Sequence, residues 1–405
     1  MGRYLTTRAL EGLREYAYKP SGYTVLDAWH APILNHITNH WLPTWLAPNL
    51  ITLLGLSALV LSYAVAAVHQ PDFSRFAPLW LYLSSAFAVF FYLHMDNLDG
   101  KQARRTKNSS PLGQLFDHGC DALAVHLILM NVACSLSFGN GWKLTASCLC
   151  VMVPWVLAHW EEYHTGIMVY GNGMIGVTEA NYAVVFLHLV TWAMCPQRWL
   201  SHPFAWLAHS SLAQQLLPHP VAAFLATLKL NEAVVLSICS MAVMLAYQQV
   251  TRVFRLAGSK QLEHTTLPKR EQGHKQLGRA HAAAHLVQLA VTFVLGAALM
   301  SLPPAGRNGA RVAMGTFGVV FALQATRLIM AHMSKEPFQI AVWPLVAMAA
   351  QVANHFFQWL DVETLSYSVN AVVIAGYLHY VVCVINEICA FLNIPCLTIR
   401  KVAAE

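Results

Sequence analysis

Apolar runs long enough to cross a bilayer recur along almost the whole chain, and they leave few folds open. No water reaches a lipid core to satisfy a free backbone N–H or C=O, so a segment of about 20 apolar residues crosses it as a helix. Ten such runs can be placed, near residues 50–68, 77–97, 115–137, 142–160, 179–196, 232–251, 282–302, 311–333, 340–358 and 366–392. Composition agrees. Of 405 residues, 57% are hydrophobic and 11% charged, whereas a soluble domain carries about 25% charged residues. The expected fold is all-α, a polytopic membrane protein with about ten transmembrane helices.

The first 48 residues are mixed and carry Arg3, Arg8, Arg14 and Lys19. No cleavable signal is visible, so the first apolar run is expected to insert the chain. Trp29, Trp41 and Trp45 fit either an interfacial segment or a solvated arm. Positive charge sets the orientation. With the N-terminus in the cytosol, the cytosolic side collects Lys101, Arg104, Arg105, Lys107, and a loop holding Arg252, Arg255, Lys260, Lys269, Arg270, Lys275 and Arg279. The other side keeps Arg75, Lys143, Arg198, Lys229, Arg307 and Arg311. The formal charge of +6 then reflects topology and anionic headgroups, and no basic–aromatic stripe points to nucleic acid. The expected division is an N-terminal segment (1–48), a six-helix core (49–254), a basic loop (255–281), a four-helix bundle (282–393) and a tail (394–405). The nine cysteines are scattered through the apolar runs and read as packing residues.

Within this apolar chain, four aspartates stand between residues 96 and 121. They lie in D-N-L-D-G-K-Q-A-R from Asp96 to Arg104, and in G-Q-L-F-D-H-G-C-D from Gly113 to Asp121. An acidic side chain facing lipid at mid-helix costs on the order of 3 kcal/mol. Four would cost roughly 10 kcal/mol, as much as the whole stability of a typical domain. They must face a wet cavity and positive charge, and multivalent metal ions are the simplest source.

Spacing decides which of these side chains can meet. Asp96, Gly100 and Arg104 are four apart, Asp99 is three from Asp96, and Gly113, Asp117 and Asp121 are again four apart. Each set lies along one helical face. Ser109 or Ser110 suits an N-cap and Pro111 the first helical turn, so the two helices are expected to run antiparallel with their acidic faces converging. Glycine costs about 1 kcal/mol against alanine in a helix, so Gly100 and Gly113 beside carboxylates imply close approach of a ligand to the backbone. Ala103 is small for the same reason, and Lys101, Arg104 and Arg105 suit phosphate. Carboxylates, hard cations and basic residues together make a site for a metal-bound diphosphate. The plainer alternative is a buried ion-pair strut, which four acids, two glycines and an arginine exceed.

The pattern D-x2-D-G-x2-A-R-x8-G-x3-D-x3-D fits Asp96, Asp99, Gly100, Ala103, Arg104, Gly113, Asp117 and Asp121 without a gap, and it resembles the signature of the CDP-alcohol phosphotransferases. D-G-K-Q-A-R-R, F-D-H-G-C-D, L-P-T-W-L-A-P-N-L-I-T at 42–52, R-L-I-M-A-H-M at 327–333 and V-I-N-E-I-C at 384–389 resemble the eukaryotic choline/ethanolamine branch. The resemblance implies that Asp96, Asp99, Asp117 and Asp121 hold two Mg²⁺ or Mn²⁺ ions, roughly 4 Å apart in comparable sites. Gly100, Ala103, Arg104 and Gly113 would pack against or bind the CDP moiety. Asn49 is a nucleotide candidate or a polar cap on its helix. The implied reaction moves phosphocholine or phosphoethanolamine from CDP-choline or CDP-ethanolamine to diacylglycerol, releasing CMP. The implied setting is the endoplasmic reticulum or Golgi membrane, with the site facing the cytosol, in a family whose members are often homodimers.

A base must take the hydroxyl proton. His118, directly after a metal-binding aspartate, is the favoured base, with Glu179 of G-V-T-E as its partner or as the base itself. Asp121 would be a poor base while ligating a metal. Other features carry less. Asn108-Ser109-Ser110 reads as a glycosylation sequon inside the active-site turn, and H-W-E-E-Y-H at 159–164 has the wrong spacing for a zinc helix. Glu161 and Glu162 are expected to cap their helix or line the rim, and Arg327 and Glu387 to make contacts inside the bundle. Tyr92, Trp155, Trp160, Tyr163, Tyr170 and Tyr182 could supply aromatic faces for a quaternary ammonium. Two other readings stand beside this one: the same chemistry on another lipid acceptor such as ceramide, and a divalent-cation transporter. A transporter predicts acids spread along a path, whereas these cluster at one face.

Overall fold

The computed structural model describes residues 4–400 apart from 19, 22, 170, 172–174, 209, 211–214, 217 and 257–277. Most of the basic loop expected at 255–281, and Tyr170, lie outside the described residues. The rest is almost wholly helical. Two short helices, α1 (Thr7–Arg14) and α2 (Val25–His40), precede α3 (Pro48–His69), α4 (Leu79–Arg105), α5 (Pro111–Ser135), α6 (Trp142–Thr165) and α7 (Val177–Met194). Short α8 (His219–Thr227) leads into α9 (Leu230–Leu256), α10 (Arg279–Ser301), α11 (Gly309–Ser334), α12 (Val342–Phe357) and α13 (Val362–Leu392). The pairing of Pro20–Ser21 with Met168–Val169 is parallel and two residues long.

Each of the ten expected runs coincides with a helix, α3 to α7 and α9 to α13. Among the described residues, seven helices are long and apolar enough to cross a membrane by themselves: α3, α5, α6, α9, α10, α11 and α13. The other three fall short for physical reasons. Helix α12 has 16 residues, α7 has 18 with Glu179 in its first turn, and α4 ends in the charged run from Asp96 to Arg105. A helix packed among others can cross with less apolar surface than one facing lipid.

Helix α11 runs through the middle of the bundle and is the most buried of the seven. Glycine lets it sit there. A Cβ at Gly318 would lie 2.1 Å from His126 Nδ1 on α5, and one at Gly296 on α10 would lie 2.2 Å from Phe317. Small residues let helix backbones approach where lipid gives no hydrophobic drive. One apolar cluster joins Leu56, Tyr82, Leu112 and Met152 to Phe317, Phe321 and Tyr377. The front six long helices therefore share a core with α10, α11 and α13 of the back four.

The N-terminal segment is docked at its start. Ala9 and Leu13 of α1 are buried, and a Cβ at Gly12 would lie 2.2 Å from the Ser334 carbonyl oxygen. The Glu387 carboxylate of α13 accepts the N–H groups of Tyr4 and Leu5 at 3.0 and 2.9 Å. Trp29, Trp41 and Trp45 stay exposed.

Candidate active site

Helices α4 and α5 are joined by a turn that fixes the register of the aspartates. Helix α4 closes with Lys107 left-handed at φ 55°, while Asn108 N–H reaches the Ala103 carbonyl at 2.9 Å and Lys107 N–H reaches Arg104 at 3.3 Å. That pair of bonds satisfies two orphan carbonyls. Ser110 then caps α5 by accepting from Gly113 N–H at 3.2 Å, with Pro111 at the first position. Arg105 is spent on structure, donating to the Thr38, Leu42 and Asn39 carbonyls at the end of α2. Arg104 is exposed and its side chain makes no hydrogen bond among the described residues.

This turn brings the acids together. One carboxylate oxygen each from Asp96, Asp117 and Asp121 lies within 4.8 Å of the others. Asp99, one turn along α4, is buried and accepts the Thr52 hydroxyl of α3. Asp121 accepts the Tyr92 hydroxyl. Two buried oxygens, Asp96 Oδ1 and Asp117 Oδ1, have no hydrogen-bond partner. Orphaned buried carboxylate oxygens are costly. Facing one another in an all-oxygen set, they fit hard divalent cations. Thr52 reaches Asp99 because α3 lies close on α4: a Cβ at Gly55 would be 2.9 Å from Met95 Cβ.

The two glycines of the motif are not demanded by the protein's own packing. A Cβ at Gly113 would sit 3.6 Å from Asn49 Oδ1 and 3.7 Å from Ser110 Oγ, and one at Gly100 would sit 3.6 Å from Arg104 Nη1. These are ordinary contacts, so the space both leave is room for a ligand. Beside Gly113, Asn49 is buried and donates its amide to the Cys396 carbonyl at 2.9 Å. An open pocket lies there, lined among others by Asn49, Lys107, Ser110, Cys396 and Arg400. Arg400 N–H donates to Asn108 Oδ1 at 2.9 Å, which also engages the asparagine of the sequon.

His118 is buried beside the carboxylates. Its Nε2 lies 2.9 Å from Gln114 Nε2 and 4.0 Å from Asp117 Oδ2. Since an amide nitrogen only donates, Nε2 is the acceptor and carries the basic lone pair. Its ring lies 5.2 Å from His159 and 5.7 Å from Tyr18. Glu179 accepts Gly176 N–H at 2.8 Å and caps α7. The residues gathered round His118 include His159 and, beyond it, Glu162. His159 Nδ1 is 3.5 Å from Glu162 Oε2, and His332 Nε2 of α11 is 3.6 Å from Glu162 Oε1. Sequence spacing gave no sign of this group, because His118, Glu162 and His332 sit on three helices far apart in the chain.

Other expected residues part company. Glu161 is buried and pairs with Arg252, whose Nη2 lies 2.7 Å from Oε2. Arg327 donates to the Gln339 carbonyl at 2.9 Å. The aromatic candidates face different partners: Tyr92 meets Asp121, Trp155 packs on His159, Tyr163 donates to the Glu336 carbonyl and Tyr182 bonds His30. Trp160 is fully buried.

A profile of the CDP-alcohol phosphatidyltransferase family matches residues 45–213. Over 99% of this chain and the whole of the relative, identity is 29% to uncharacterized CDP-alcohol phosphatidyltransferase class-I family protein 3 of Dictyostelium discoideum. Cholinephosphotransferase 1 of Gallus gallus is 36% identical over 193 residues, which cover 47% of this chain and 56% of the relative. Cholinephosphotransferase 1 of Homo sapiens is 36% identical over 191 residues, 46% of each chain. The matched family region contains α3 to α7, and so all four aspartates.

Proposed function

The chain belongs to the CDP-alcohol phosphotransferase family, in its choline/ethanolamine branch, and on that premise we propose that it makes phosphatidylcholine, phosphatidylethanolamine or both. The diacylglycerol hydroxyl oxygen bonds to the phosphorus that carries the choline or ethanolamine. The bond from that phosphorus to the bridging oxygen breaks, CMP leaves, and the hydroxyl proton passes to a base. Family membership and apolar helices support the coarser statement, an integral membrane enzyme that transfers a lipid headgroup. The named substrates, the diacylglycerol acceptor and an endoplasmic reticulum or Golgi membrane with a cytosolic site belong to the proposal, as does a homodimer.

Asp96, Asp99, Asp117 and Asp121 would hold Mg²⁺ or Mn²⁺, two ions in this reading. When bound, these neutralise the diphosphate and ease departure of CMP. The chain's own residues do the rest. Arg104, free of internal hydrogen bonds among the described residues, offers a forked donor to phosphate oxygens. Room over Gly100 and Gly113 admits the nucleotide against the backbone. His118 presents the Nε2 lone pair on the carboxylate side and takes the proton there once Gln114 yields to the hydroxyl. Glu179, which caps the start of α7, would orient His118 or take the proton itself.

The observation that carries this reading is the meeting of three carboxylates with two orphaned oxygens, 4.0 Å from an imidazole nitrogen. The test is purified protein in detergent with diacylglycerol and competing CDP-choline and CDP-ethanolamine. Metal-dependent CMP release with phospholipid formation is expected. Metal uptake without CMP release from either donor would sink the proposal and favour ion transport.

A further inference from the structure

We propose that His118, His159 and Glu162 form a second cation site, of imidazole–carboxylate chemistry, that takes Zn²⁺ and blocks turnover when filled. The blocking clause rests on the function proposed above; the binding clause does not.

Three observations carry it. First, one ligand atom from each of His118, His159 and Glu162 lies within 4.8 Å of the others, and all three residues are buried. Second, the close approach inside the set has the wrong length for a hydrogen bond: His159 Nδ1 is 3.5 Å from Glu162 Oε2. A good N–H···O bond is about 2.9 Å. The edge of a tetrahedron around zinc, with bonds of about 2.0–2.1 Å, is about 3.3 Å. Third, His159 is 3% exposed and its Nδ1 has no hydrogen-bond partner. A buried imidazole nitrogen without a partner is what a missing ligand leaves behind.

The ligand set names the ion. Two imidazoles and one carboxylate are a known type of zinc set, with the fourth position open to water. The aspartate site next to it is all oxygen and favours Mg²⁺ or Mn²⁺. Asp117 and His118 are neighbours in the chain, so the two sites share a wall. His332 Nε2 lies 3.6 Å from the other Glu162 oxygen, Oε1, where the outer partners of metal ligands stand. Zinc in this site would hold the His118 imidazole that the transfer reaction requires.

Co²⁺ titration of the full-length protein in detergent with saturating Mg²⁺ tests binding. The strong visible absorption of a tetrahedral, nitrogen-ligated ion is expected, displaced by Zn²⁺ and not by more Mg²⁺. Glu162→Gln and His159→Ala should each weaken Co²⁺ binding about 10- to 100-fold. Thermal unfolding in the same detergent identifies any variant that fails to fold, and His332→Ala then serves as the second probe. In assays, Zn²⁺ should stop CMP release at saturating Mg²⁺, and Glu162→Gln should need correspondingly more Zn²⁺ relative to its own uninhibited rate. Only the weak spectrum of oxygen-bound Co²⁺, unchanged binding in both variants, or zinc inhibition relieved by Mg²⁺ would each overturn the proposal. An inactive protein that still binds Co²⁺ as described would count against the proposed function alone.

Discussion

The Asn49 amide donates to the Cys396 carbonyl at 2.9 Å, joining the first residues of α3 to the segment that follows the last helix. Arg400 N–H extends the link to Asn108 in the α4–α5 turn. If the pocket between them takes the nucleotide, CMP or a CDP-alcohol should shield Cys396 from maleimide, read by peptide mass spectrometry. Burial pushes the Cys396 thiol up from its ordinary value, partly offset by Asn49. Alkylation should therefore be slow at neutral pH and quicken as pH rises. Equal alkylation with and without saturating nucleotide would place the nucleotide elsewhere.

Tyr92 donates its hydroxyl to Asp121 and so aims a carboxylate that no backbone group holds. Tyr92→Phe keeps the ring, which is buried and lies against Gly55 of α3, and removes the donor. Metal affinity should fall about 10- to 100-fold, seen as a rightward shift of the Mn²⁺ dependence of CMP release. Activity recovered at high Mn²⁺ is the expected signature; an unshifted curve would mean that the hydroxyl contributes nothing to metal binding.

His30 links α2 to α7 by a 2.9 Å contact with the Tyr182 hydroxyl. Burial first, and then His94, lowers its pKa, against the opposing pull of Asp27 and Glu179. The folded state thus prefers neutral His30, so its contribution is complete above the unfolded value of about 6.5. It is lost as pH falls from there through the lower folded value. Hydrogen exchange in α2 should rise as pH is lowered across that window, after correction for intrinsic rates. His30→Gln should flatten the response.

Arg311 is buried at the far end of the bundle, although its place between two apolar runs assigns it to a loop face. Its guanidinium donates to the Gln70 carbonyl at 2.6 and 3.0 Å and lies 4.2 Å over the Phe73 ring. Arg311→Leu leaves that carbonyl only the Phe73 N–H at 3.3 Å and removes the cation–π contact. A loss of about 2–4 kcal/mol is expected, visible as a lower unfolding temperature in detergent with little change in substrate KM.

Much of this architecture is legible in the sequence because its signals are local. Hydropathy places each long helix, and fourfold spacing aligns Asp96 with Gly100 and Asp117 with Asp121. Ser110 and Pro111 announce the start of α5. What escapes is whatever two distant elements create together. Gly55 looks like any membrane glycine until Met95 is seen 2.9 Å from where its Cβ would be. Glu162 looks like a rim residue until His332 arrives from α11. Asn49 fits a cap or a ligand contact equally well, and its tie to Cys396 spans 347 residues of chain. The span count is ambiguous for a related reason: α4 is polar where it builds the site, so apolarity alone undercounts it.

The clasp of residues 396 and 400 on Asn49 and Asn108 also sets an order in time. All four aspartates have been made once α5 leaves the ribosome, yet α11 must follow before His332 reaches Glu162. Residues 396 and 400 come later still, when they close on Asn49 and Asn108. A nascent chain paused after α9 would carry the whole motif in an unfinished pocket. Synthesis of residues 396–400, rather than of the motif, would then mark the moment at which the protein begins to work.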